Sequence, residues 1–160
     1  MTFNDLFRKW GLTSIQLNVG FANLEFNPTE DDQTAAWEMY VELLTRITTQ
    51  PLEDETGDEE TALTSIYSLF DTTRTILKEK GRQANEFTKV AIIVLNQVIR
   101  PFTAKWHRKK IDGAFSNEEE CKIFREDLKI IQKDLQSYTQ LLADIAKVED
   151  LSNINNKESN

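Results

Sequence analysis

A chain of 160 residues, 39 % apolar and 29 % charged, has the usual size of one domain and enough apolar surface to fold without disulfides or a structural metal. Its formal charge of −8 at pH 7 opposes attraction to phosphate backbones, which disfavours nucleic acid as a partner. Five Gly and three Pro leave long windows in which helices propagate, and the single cysteine, Cys121, excludes an internal disulfide. With no Arg- or Lys-led apolar signal segment at the start, the expected compartment is a reducing cytoplasm.

Asn4 or Asp5 is expected to cap a short helix through Leu6, Phe7 and Trp10 that Gly11 closes. Ile15, Leu17, Val19 and Phe21 then alternate with polar residues, and Ala22, Leu24 and Phe26 continue in the opposite register. This period of two predicts an extended or β-hairpin segment over residues 13–27, turning near Gly20.

Thr29 and Asp32 form a capping pair that opens the first long helix. It carries one apolar stripe of Ala36, Tyr40, Leu43 and Ile47 and a second of Trp37, Val41 and Leu44, a face wide enough for more than one neighbour, and it ends near Gln50 and Pro51. The acidic run Glu53–Glu60 reads as a solvated loop and a dipole-matched helix start, because it lacks the alternating ligands of a calcium loop. The second helix carries Leu63, Ile66, Phe70, Thr73 and Leu77 and stops at Gly81. The third starts near Asn85 with Phe87, Ala91, Val94 and Val98 on one face and Ile92, Leu95 and Ile99 around the rest, so it is expected to be the central, most buried rod. Its apolar run is too short to cross a membrane. Pro101 is expected to kink or break it, sending Phe102–Lys110 in a new direction to a turn at Gly113.

Ser116 and Glu119 read as the capping box of the last helix, along which Phe124, Leu128, Ile131, Leu135, Tyr138, Leu142 and Ile145 recur in alternating steps of four and three. That seam serves equally a bundle within the chain or a coiled coil between chains. Residues 152–160 are polar and expected to be disordered. The whole reads as an all-α single domain over residues 1–151, an antiparallel four-helix bundle decorated by the N-terminal helix and extended segment.

Chemistry has little to work with. One His and one Cys exhaust the usual nucleophiles and bases, the acids flanking Cys121 oppose its ionisation, and no Glu-x-x-His pair, glycine-rich phosphate loop or metal-ligand cluster is present, so no enzyme, cofactor or metal is expected. The candidate ligand site is the cationic and aromatic stretch from Arg100 to Lys110. Arg100, Lys105, His107 and Arg108 would hold a small phosphorylated anion there while Trp106 stacks on it, and Arg46 and Arg74 could converge with Arg100. The leading expectation is a non-enzymatic accessory module of bacterial type that binds a protein partner or itself, through the heptad seam or the edge of the extended segment. A sensor for a small anionic ligand is the alternative.

Overall fold

The computed structural model describes residues 1–46, 50–53 and 58–154. Among them run eight α-helices: α1 (Phe3–Lys9), α2 (Val19–Ala22), α3 (Glu30–Leu44), α4 (Glu59–Tyr67), α5 (Leu69–Lys80), α6 (Asn85–Val94), α7 (Arg100–Ile111) and α8 (Glu118–Ala146). A π-turn, Leu95–Ile99, joins α6 to α7, and a 3₁₀ turn, Ala114–Ser116, precedes α8. No helix among these residues is long and apolar enough to cross a membrane.

The core is organised around α3, which runs along α8 and also packs on α5 and α6, while α7 packs on α4 and α8. The seam of α8 is consumed here: Phe124, Leu128, Ile131, Leu135, Tyr138, Leu142 and Ile145 are all buried within the single chain. On α3 the stripe of Ala36, Tyr40 and Leu43 is buried in the same core. The expectation that the third helix would be the most central rod is corrected, because Ile92 of α6 is 43 % exposed. An apolar circumference does not make a helix central when only part of it meets neighbours.

Local signals explain most boundaries. Thr29 caps α3, with Asp32 completing the box, and Asp58 caps α4 through the amide of Thr61. At α1 the cap is Thr2 paired with Asp5, one turn earlier than expected, and at α8 it is Asn117, which displaces the Ser116–Glu119 pairing because Ser116 is held in the 3₁₀ turn. Gly11 and Gly113 take the left-handed backbone that closes α1 and α7. The predicted second helix is two helices, α4 and α5, interrupted at Ser68, whose hydroxyl donates to the carbonyl of Ser65 and accepts from the Arg46 guanidinium. The predicted end of the first helix lies partly outside the described residues, as do residues 54–57 of the acidic run and 155–160 of the tail.

Pro101 does not break the third helix. It sits two residues after the π-turn, in which the Arg100 amide reaches the Leu95 carbonyl five residues back, and α7 continues through it. The buried residues Val94, Val98, Phe102 and Trp106 explain why. Steps of four overshoot an α-helical turn by about 40° each, and one wider turn cancels the drift, so α6 and α7 keep their apolar stripes facing the core.

The hairpin expected over residues 13–27 does not form, and no strand is present among the described residues. Asn18 caps the single-turn helix α2, and the flanking backbone finds other partners. The side-chain amide of Gln97 both accepts from the Gln16 amide and donates to its carbonyl, at 2.8 Å each, in place of a second strand. The amides of Phe3 and Phe26 donate to the carbonyls of Leu24 and Met1, forming one antiparallel bridge between Thr2 and Glu25. Phe3, Phe21 and Phe26 pack their rings together beneath this clasp. At the other end Ser152 is buried rather than disordered, tied to Asp150, while the Tyr40 hydroxyl accepts the Leu151 amide at 2.7 Å.

Candidate functional site

The basic segment folds into α7, and most of its charge is spent on neighbouring elements. Lys105 pairs with Asp127 at 2.6 Å, Lys109 with Glu120 at 2.7 Å and Lys110 with Glu60 at 2.6 Å, while Arg108 lies 3.6 Å from Asp112 on its own helix. Trp106 is fully buried, edge-on to Phe124 and stacked on Phe115, and donates its indole N–H to Asp127 at 3.0 Å. The proposed role of Trp106 as a stacking platform for ligand is thereby corrected, and Lys105 and Arg108 are not free anion ligands: Lys105, Trp106 and Lys109 fasten α7 to α8, while Arg108 pairs within its own segment.

Arg46, Arg74 and Arg100 do not meet at a single point. Arg46 lies at the end of α3, bound to Glu42, Ser68 and Thr72. Arg74 and Arg100 share one aromatic neighbour, because both guanidinium groups lie over the ring of Phe70, at 5.6 and 4.9 Å from its centroid. Phe70 packs in turn against Tyr67, and His107 meets Tyr67 edge-on at 4.7 Å. The sequence reading missed Tyr67 and Phe70. They lie thirty residues and more from the basic run, and only tertiary packing, of α4 on α7 and of Phe70 under Arg100, brings them to it.

Elsewhere a groove of about 530 Å³ opens between α3 and α5. Trp37, Val41 and Ile76 supply its apolar lining, Thr72 and Thr75 its hydroxyls, and Glu38, Glu42, Asp71 and Glu79 its rim. Trp37 is 46 % and Val41 37 % exposed. These two belong to the second apolar stripe of the first long helix, whose third member, Leu44, packs against the core while Trp37 and Val41 stay partly exposed. The Trp37 ring stacks on Tyr40, which the Leu151 amide holds in place, so the indole is supported from below. Among the described residues no cation lines the groove; Lys80, Arg46 and Arg74 reach Glu38, Glu42 and Asp71 from outside it, and Glu79 has no ion-pair partner. The Glu38 contact holds the Lys80 ammonium above its ordinary pKa.

Cys121 hydrogen-bonds the Phe115 carbonyl, and burial, followed by the nearby Glu59 carboxylate, pushes its thiol up. That opposes a thiolate nucleophile despite the position near a helix start. Among the described residues no group of three or more His, Cys, Asp or Glu is placed to hold a metal ion. No protein-family model, curated protein or solved structure matches the chain.

Proposed function

We propose that the protein is a non-enzymatic helical interaction module whose α3–α5 groove receives a Lys- or Arg-bearing amphipathic helix of a protein partner. In this reading the helices form an antiparallel bundle with one side left open, and the partner supplies the missing rod. The observation that carries it is the exposed pair of Trp37 and Val41, bordered by four carboxylates of which Glu79 has no ion-pair partner among the described residues and the other three meet cations from outside the groove. An exposed tryptophan braced from behind is the kind of anchor that dominates helix-in-groove binding, and the acidic rim selects a cationic ligand by charge complementarity. A net charge of −8 makes a second copy of the chain a poor occupant.

A labelled amphipathic peptide of Leu and Lys, compared with its Glu-for-Lys counterpart, tests the reading by anisotropy. Saturable binding of the Lys peptide alone is expected, weakened by salt and reduced about tenfold or more in Trp37→Ala and in Glu79→Gln. Equal binding by both variants, or none by the parent protein, would overturn it. A dimer in light scattering that Trp37→Ala dissolves would assign the groove to a second copy and also defeat it.

A further inference from the structure

The groove takes up one side of α5, through Thr72, Thr75, Ile76 and Glu79. On the other side Phe70 and Arg74 lie one turn apart and face Arg100 of α7. Arg100 stands where the π-turn ends, seven residues and two turns before His107, so the two project from the same face of α7. The Arg100 guanidinium is exposed, stacks on Phe70 and donates its Nε–H to Asn96 at 3.1 Å. No carboxylate of the described residues lies within ion-pair distance of Arg100, unlike the other cations of α7. Arg74 is tied only to Asp71, an exposed pair at 3.1 Å that water screens and a stronger anion would displace. His107 has neither a hydrogen-bond nor an ion-pair partner among the described residues, and Tyr67 leaves half of its surface, 49 %, in solvent. Two forked donors held on one buried ring, with an imidazole free of hydrogen bonds among the described residues and a half-exposed tyrosine beside them, match a phosphate joined to a planar base.

We propose that Tyr67, Phe70, Arg74, Arg100 and His107 form a binding site for a mononucleotide, with the phosphates on Arg74 and Arg100, the base against Tyr67 and the imidazole of His107 within reach of the ligand. Phe70 acts as the pedestal that orients both arginines. The acidic surface of the molecule favours a small ligand here over a polymer, because repulsion grows with every phosphate outside the site. The site touches the groove only through the Arg74–Asp71 pair, and the two are told apart by Trp37 and Glu79 on one side and Arg100 and Tyr67 on the other.

Titration calorimetry with ADP, pyrophosphate and adenosine tests it. ADP is expected to bind more tightly than pyrophosphate, and adenosine not measurably. Arg100→Ala and Arg74→Ala should each weaken ADP about tenfold or more, Arg100→Lys should recover only part of the loss, and Tyr67→Leu should reduce ADP to the level of pyrophosphate. Arg74 and Arg100 are exposed, so these variants should unfold at the urea concentration of the parent, which is checked by circular dichroism. Glu79→Gln, in the groove, should leave ADP binding unchanged. Absence of binding by both ADP and pyrophosphate, or binding that survives the double variant Arg74→Ala, Arg100→Ala, would overturn the proposal.

Discussion

The carboxylate of Asp32 accepts the backbone amide of Phe87 at 2.9 Å, across 55 residues of chain. Its other oxygen completes the capping box of α3, accepting from the amide and hydroxyl of Thr29. Phe87 is the third residue of α6, and Ala84 before that helix has no side chain to cap it. One buried acid therefore closes the starts of two helices, and both helix dipoles favour its charge.

Replacing Asp32 by Ala should cost about 2–4 kcal/mol, the sum of a lost cap and a buried amide left unpaired. Asp32→Asn keeps an acceptor for one helix and should cost less. Urea unfolding followed by circular dichroism measures both. A loss no larger than that of an exposed cap would show that the link to Phe87 carries no weight.

Asp58 gives the same chemistry in an exposed setting with a definite pH dependence. Hydrogen bonds from the hydroxyl and the amide of Thr61, at 2.6 and 2.8 Å, hold its carboxyl below the usual 3.8. A depressed folded-state pKa stabilises the protein fully above the ordinary value, and the contribution is lost as pH falls through the folded one. Asp58→Ala should thus cost about 1 kcal/mol at neutral pH, and the urea midpoints of variant and parent should converge on acidification. A gap that stays constant with pH would remove the carboxylate from the explanation.

The two acids also mark what local pattern can and cannot disclose. Thr29 and Asp32 are readable as a cap because the partners are three residues apart; the bond from Asp32 to Phe87 depends on tertiary placement and has no local signature. Likewise the seven apolar residues of α8 are spaced by the helix itself, but only packing shows that the chain fills them internally. Alternation from Ile15 to Phe26 misleads because Gln97 and the N-terminal residues satisfy that backbone before any strand can. The π-turn was legible in principle, in the steps of four from Val94 to Trp106, whereas Pro101 alone pointed the other way. The basic segment stands out in sequence because of its charge, yet the acids that neutralise it arrive from α4 and α8. Arg100 is left over by that pairing, and its partner ring on α5 is visible only in three dimensions.

Cys121 should be a sluggish thiol. Burial and Glu59 both raise its pKa, so alkylation by iodoacetamide at neutral pH should run slower than for a small free thiol and accelerate only above the usual thiol range. Glu59→Gln should speed the reaction by removing the second cause. Fast alkylation of the parent at neutral pH would instead reveal an activated cysteine and reopen nucleophilic chemistry.

Trp106 separates packing from charge in the segment that binds α7 to α8. Its ring is buried against Phe115 and Phe124, and the ammonium groups of Lys105 and Lys109 lie 5.4 and 5.1 Å from its centroid. Trp106→Ala should cost about 3–5 kcal/mol, since it opens a cavity and strips Asp127 of the indole N–H. Lys105→Ala removes a half-exposed partner of the same carboxylate and should cost no more than about 1 kcal/mol. Unfolding must be followed by circular dichroism, because the variant deletes a fluorophore. If Lys105→Ala proved as damaging as Trp106→Ala, the ion pair rather than the aromatic cluster would anchor α7, and the basic run would owe its place in the fold to charge after all.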